Sequence, residues 1–224
     1  MVDESNSETP ATGLRERHKR ARRDAILRAA RDLLREGADD KLTKEAIAQR
    51  AQVAPATVYN LVGTRTQLFE ALADDFMEQI ETRQRGEPAR DPLRRARRQI
   101  EITLDVILED PLVYARMVRG WDESGLVLRR GPIDALLSAF AEAKAAGLLV
   151  AEADPRLLAS SVATACVGAV HQWAAGLISP RGFRARALFS LDLALAAAAS
   201  ETEHAQLARA LFKRRPATRK GDER

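Results

Sequence analysis

The chain has 224 residues, 46% of them apolar and 4% aromatic, with 36 Lys and Arg against 32 Asp and Glu and a net charge of +4. That apolar content supports a real core in one large or two small domains. Alanine is the commonest residue and β-branched runs bounded by turn pairs are scarce, which argues for helices packed through small residues and against an all-β fold. The one cysteine, Cys166, excludes an intrachain disulfide. No apolar signal segment follows the N-terminus and no window reaches about 18 uncharged apolar residues, so a soluble, cytoplasmic protein is expected. The positive charge is regional: residues 14–65 carry 13 Lys and Arg against 7 Asp and Glu, whereas residues 99–208 carry 9 against 13. A basic segment joined to a mildly acidic body suggests a polyanion reader coupled to something else, the alternative being an ordinary solvated surface.

Residues 1–13 are polar and aperiodic and are expected to form a disordered arm. From Arg15 to Glu36 the apolar positions Ile26, Ala29, Ala30, Leu33 and Leu34 recur at helical spacing, and Gly37 is a suitable C-cap. Thr43 is an N-cap candidate for a short helix through Ile47, Ala48 and Ala51, and Pro55 suits the first position of a third helix ending near Leu61. Gly63 interrupts; Thr64 caps a fourth helix from Arg65 to about Arg83, with Leu68, Leu72, Phe76 and Ile80 at intervals of four. Past Pro92, the residues Ile100, Ile102, Leu104, Val106, Ile107 and Leu108 are apolar on nearly every side, as in a central buried helix. Asp110-Pro111, Gly131-Pro132, Asp154-Pro155 and Ser179-Pro180 mark further starts, predicting helices over 111–120, 132–146, 155–178 and 181–199. A short helix over 202–213 and a frayed basic tail over 214–224 complete the chain.

The segment from Leu42 to Leu72 reads as helix, tight turn, helix. Ile47, Ala48, Ala51, Val53 and Val58 supply the contacts of two short crossed helices, with small Ala48 and Ala51 permitting close approach and Thr57, Tyr59 and Asn60 left outward. Such a unit presents its second helix to a DNA major groove, which admits one α-helix. Over residues 15–72 the sequence resembles the TetR family of transcriptional regulators. The resemblance is carried by Ile47-Ala48, Ala51, Val53, Ala56-Thr57-Val58-Tyr59, Thr64, Arg65 and Leu68. The Ala-rich helical remainder resembles that family in architecture alone. Gln52 stands where the motif usually has glycine, so a non-glycine residue is expected in left-handed geometry at a cost of roughly 1 kcal/mol. Asn60-Leu61-Val62 replaces the usual aromatic-rich tail and Arg65 the usual lysine, so the operator does not follow from relatives.

The resemblance implies an all-α protein: a three-helix DNA-binding domain over 14–65, then a helical effector-binding and dimerisation domain over 66–213. It also implies a homodimeric regulator, a repressor, released from a pseudo-palindromic operator by a small-molecule effector; the stripe of Tyr114, Met117 and Trp121 beside a helix with few polar groups points to an apolar or amphipathic one. The alternative is an architectural protein that coats DNA without specificity. Thr57 and Tyr59 would donate hydroxyls to phosphates, Arg65 would meet a phosphate at the start of the fourth helix, and Thr43 or Lys44 would touch backbone. Pro55, Ala56 and Asn60 would face base edges, the Asn60 amide pairing with adenine and the Thr57 methyl meeting thymine. The run around Arg15 and Arg17 reads either as a minor-groove arm or as a solvated helix face.

No catalytic, metal or cofactor set is expected: there is no G-x-S-x-G, P-loop or G-x-G-x-x-G, and only His18, His171 and His204. Glu201 and His204 form one E-x-x-H where a di-iron site needs two. Cys166, among Ala, Val and Gly, reads as a structural thiol before a redox sensor. Cys166, Val170, Trp173 and Leu177, the neighbouring Thr164, Gly168, His171 and Ala175, and Leu188, Leu191, Leu195 and Ala198 on the next helix offer surface for a four-helix interface between two copies, or for intramolecular core. A ligand cavity would be bounded by Thr103 and Asp105 and by Tyr114, Met117, Val118 and Trp121, with Phe140, His171 and Trp173 further candidates; plain core is the alternative.

Overall fold

The computed structural model describes residues 10–37, 42–85, 90–121 and 133–213. Ten helices run through them: α1 (Pro10–Arg35), α2 (Lys44–Ala51), α3 (Pro55–Val62), α4 (Arg65–Gln84), α5 (Pro92–Glu109), α6 (Pro111–Trp121), α7 (Ile133–Ala145), α8 (Pro155–Ala174), α9 (Pro180–Ala198) and α10 (Glu201–Lys213). Extended pairing among the described residues is limited to an isolated bridge of Leu149 with Ala199, so the fold is all-α. None of the described helices is long and apolar enough to cross a membrane. Of the predicted N-terminal arm, residues 1–9 lie outside the described residues, as does the predicted tail over 214–224. The rest of that arm, from Pro10, is helical, because proline is tolerated where the amide has no intrahelical partner.

Internal packing divides the chain after Leu72, within α4. In the first unit Ile26, Leu27, Ala29, Ala30, Leu33 and Leu34 of α1 are buried, as are Ile47 and Ala48 of α2 and Val58 and Val62 of α3. α2 ends in a left-handed turn at Gln52 (φ 54°, ψ 44°). The Val53 amide donates back to Ala48 O at 3.0 Å and the Gln52 amide to Gln49 O at 3.3 Å, the paired hydrogen bonds of a Schellman cap. Gln52 is the non-glycine residue with positive φ among the described residues, as its place in the motif led one to expect.

In the second unit α5 is central, packing on α6, α7 and α9. Its buried set, Leu93, Ala96, Gln99, Ile100, Ile102, Leu104, Val106 and Ile107, spans more than half its circumference. Starts follow one device: Asp91 accepts from the Leu93 amide at 2.9 Å, Asp154 from the Arg156 amide at 2.8 Å and Ser179 from the Gly182 amide at 3.1 Å, each followed by proline at the first turn. α8 stops at Ala174, short of the predicted 178. Gly176 (φ 75°) takes the left-handed position, and the Leu177 and Gly176 amides bond Gln172 O and Trp173 O, both at 2.9 Å. A second correction concerns α9, where Leu191, Leu195 and Ala198 are buried in the protomer and Leu188 half-buried; the stripe left exposed is Phe189, Leu193 and Ala197. The Cys166 thiol on α8 is pushed up to about 11 by burial, against a Ser190 hydrogen bond that lowers it. Such a thiol is a poor nucleophile, consistent with a structural role.

Left-handed geometry costs an L side chain about 1–2 kcal/mol, and glycine gives back about 0.5–1 kcal/mol through its freer unfolded chain. Gln52→Gly is therefore expected to stabilise the protein by up to about 1 kcal/mol, and β-branched Gln52→Val to destabilise it. Urea unfolding followed by circular dichroism measures both; equal midpoints for the three proteins would contradict the assignment of strain to Gln52.

Candidate nucleic-acid interface

Thr43 is extended (φ −92°, ψ 158°) and its Oγ1 accepts from the Ala46 amide at 3.1 Å, which starts α2 and leaves the Thr43 O–H outward. Arg50 forks onto Glu36 at 2.8 and 3.0 Å, tying α2 to the segment that follows α1; the Glu36 hydrogen bond holds the guanidinium above its ordinary pKa. The turn over 52–54 then delivers Ala54, which has no capping side chain, and Pro55 at the first position of α3. Val58 and Val62 face inward, so helical geometry forces Pro55, Ala56, Tyr59 and Asn60 to the exposed side, with Thr57 half-buried between the two sets.

Tyr59 is 57% exposed, a large fraction for an aromatic ring, and Lys44 Nζ lies 4.7 Å from its centroid. This cation–π contact holds the ring against the start of α2 while its hydroxyl remains free to donate. Gly63 (φ 83°) closes α3, and a Cβ there would fall 2.1 Å from Gln67 Oε1. Gln67 occupies that space because it accepts from the Thr64 amide at 2.8 Å while its own amide donates to Thr64 Oγ1 at 3.3 Å. The reciprocal cap fixes the start of α4, where Arg65 lies exposed with its guanidinium carbon 5.4 Å from the Phe69 ring. The residues expected to meet DNA thus lie on the exposed sides of α2, α3 and the start of α4. Gln67 was not among them, although its spacing from Thr64 is the readable signature of this cap.

The cavity candidates divide differently. Tyr114, Met117 and Val118 are buried on one face of α6, and Tyr114 meets Phe76 at 5.2 Å with the rings tilted by 58°. Phe140 is buried on α7; Trp173 is buried on α8, stacked on Phe183 of α9 at 5.3 Å. Thr103 donates to Gln99 O at 2.9 Å, Asp105 is engaged by Arg184, and His171 is half-buried. Trp121 ends α6, and its side chain lies outside the described residues. Gln99 was missed by sequence reasoning. It is buried, its Oε1 accepts from Gln84, and its Nε2 has no partner. An orphaned buried donor costs about 1–3 kcal/mol.

Residues 26–72 match the family model described as bacterial regulatory proteins, tetR family. The chain is 32% identical over 104 residues to the HTH-type transcriptional repressor KstR of Rhodococcus jostii (strain RHA1), a match covering 46% of this chain and 49% of KstR. It therefore spans about half the length of the curated relative it matches. Among solved structures it is similar to SmeT, the repressor of the Stenotrophomonas maltophilia multidrug efflux pump SmeDEF, at 22% identity and a TM-score of 0.63 over 80% of this chain and 91% of SmeT. SmeT is also known as a triclosan complex. A TetR transcriptional regulator from Rhodococcus sp. RHA1 is similar at 20% identity and a TM-score of 0.61, over 80% of this chain and 97% of that one. At these identities the solved structures show the fold, an N-terminal helix-turn-helix followed by a helical body. Over residues 26–72, which span α2, α3 and parts of α1 and α4, the chain thus matches the helix-turn-helix of the tetR family of bacterial regulatory proteins.

Proposed function

We propose that this chain is a DNA-binding transcriptional repressor of the cytoplasm that reads a pseudo-palindromic operator as a homodimer and is released by a small apolar or amphipathic effector. The observation that carries the reading is the exposed side of α3, where Pro55, Ala56, Tyr59 and Asn60 stand out from a helix anchored by buried Val58 and Val62. Thr43, Lys44, Thr57, Tyr59 and Arg65 supply hydroxyls and charges for phosphates, while Pro55, Ala56 and Asn60 meet base edges. No catalytic step or cofactor enters this reading.

Dimerisation is supported by what α8 and α9 leave uncovered. Leu157 is 64% exposed, Phe189 45% and Leu193 50%, and Gly168 lies mid-helix with nothing within 4 Å of where a Cβ would be. A mid-helix glycine costs roughly 0.5–1 kcal/mol relative to alanine. Nothing among the described residues requires its missing side chain, whereas a second helix in close approach would. One eight-residue α3 also reads too few base pairs for specificity alone.

The effector reading is supported by the buried Tyr114, Met117 and Val118, by the orphaned Gln99 donor, and by the triclosan complex of SmeT. So apolar a setting disfavours a highly charged ligand. Release requires the effector to favour the non-binding conformation by about 5.5 kcal/mol if it is to move a 1:99 balance to 99:1.

Tyr59→Phe keeps the ring that Lys44 covers and deletes the hydroxyl; it is expected to weaken all duplexes alike. Arg65→Ala should also lower the magnitude of the salt slope, by about 1 per protomer. Asn60→Ala should cost about 1–3 kcal/mol on a duplex selected from a random pool and little on a scrambled one. Fluorescence anisotropy across salt concentrations measures all three, and an equal loss on both duplexes for Asn60→Ala would remove it from the reading set. For the dimer, Leu193→Asp is expected to shift the protein to a monomer in analytical ultracentrifugation at micromolar concentration. A wild-type monomer, or a variant that dimerises unchanged, would contradict this interface.

A further inference from the structure

We infer that one face of α1, formed by Arg15, His18, Lys19 and Arg22, extends the DNA-binding surface beyond the helix-turn-helix and seats the sugar-phosphate backbone bordering the groove that α3 reads. The inference rests on the DNA-binding reading and concerns residues outside the set assigned to it. A groove of about 620 Å³ lies between the two helices, lined by Leu14, Arg15, His18, Lys19 and Arg22 of α1 and by Thr57, Asn60 and Leu61 of α3. Positions 15, 18, 19 and 22 share one helical face, so the basic run is sorted by the period of the helix. Arg17, two residues from Arg15, falls on another face and donates from Nε to Gly13 O at 3.2 Å.

Among the described residues no Asp or Glu lines the groove, although three of its residues are full cations. Lys19 comes within 3.9 Å of Glu16, but both side chains are more than 60% exposed, a pairing worth little in water. Like charges at i, i+4 such as Arg15 and Lys19 destabilise a helix, and a polyanion in the groove would reverse that sign. The occupant follows from continuity: Thr57 and Asn60 belong both to this wall and to the outward side of α3. A nucleic acid reaching Asn60 therefore passes the cations of α1.

The helical state also decides which part of the duplex is met. A helix is about 10–12 Å across and the minor groove about 6 Å wide, so this face lies along the phosphate rim and does not enter the groove. From Arg15 to Arg22 the helix rises about 10 Å, close to three base-pair steps, enough for one phosphate per cation.

The test compares wild type with Arg15→Gln/Lys19→Gln/Arg22→Gln, which keeps helix-forming residues, and with Arg15→Lys/Arg22→Lys, which keeps the charge. Anisotropy is read over a salt series on a duplex that wild type selects from a random pool and on a scrambled one. The glutamine variant is expected to reduce the magnitude of the salt slope by about 2.7 per protomer, at about 0.9 per phosphate, with the same fold-loss on both duplexes. The lysine variant is expected to retain the wild-type slope. An unchanged slope in the glutamine variant overturns the inference, whether or not affinity falls, and a loss confined to the selected duplex overturns the phosphate assignment. If Arg65→Ala lowers the slope while the glutamine variant does not, this inference alone fails. If wild type binds no duplex, the DNA-binding reading fails with it.

Discussion

The arrangement of the helix-turn-helix unit depends on one tight turn. Two short helices cross closely because Ala48 is small and buried, and the chain between them reverses through Gln52 in left-handed geometry. The two reversed hydrogen bonds, donated by the Val53 and Gln52 amides to the Ala48 and Gln49 carbonyls, satisfy oxygens that the end of α2 would otherwise leave open. They also set the direction in which Pro55 starts α3. That direction, with Val58 and Val62 inward, is what sends Tyr59 and Asn60 outward. A glycine would adopt the turn more easily, so the glutamine holds the motif under slight strain that the surrounding core outweighs.

The second unit uses a different economy of residues. Three of its helices begin where a capping oxygen precedes proline and two end where glycine goes left-handed, so these boundaries are set by local chemistry before any packing. Ion pairs then link α5 to its neighbours: Arg97 to Asp192 and Arg184 to Asp105 join α5 and α9, and Arg95 to Glu142 joins α5 and α7. At partial exposure such pairs contribute orientation more than stability. The buried faces of α5, α6 and α7 supply the hydrophobic part, with Gln99 the buried polar residue among the described ones.

Helix starts were legible because Asp91-Pro92, Asp154-Pro155 and Ser179-Pro180 each combine two independent signals in adjacent residues. The left-handed Gln52 was legible because the motif leaves no other conformation at that position. The faces of α9 were not. In an Ala- and Leu-rich helix, Leu191, Leu195 and Ala198 form one apolar stripe and Phe189, Leu193 and Ala197 another, and periodicity does not say which one the protomer's own core takes. Packing on α5, α8 and α10 decides it. The stop at Gly176 was overlooked because apolar Leu177 and Ile178 continue past it. The groove beside α3 was out of reach for another reason: Arg22 and Thr57 lie on different helices with α2 between them in sequence, and only the folded unit brings them together.

The central claim is that α3 reads base sequence through a dimer, and footprinting tests it most directly. Wild-type protein would be incubated with a long duplex carrying the site it selects from random DNA, and cleavage protection mapped on both strands. The account predicts one protected pseudo-palindrome whose half-sites lie about 34–36 Å apart, or a multiple of that distance. Uniform protection along the duplex, with no preferred site at any protein concentration, would contradict it.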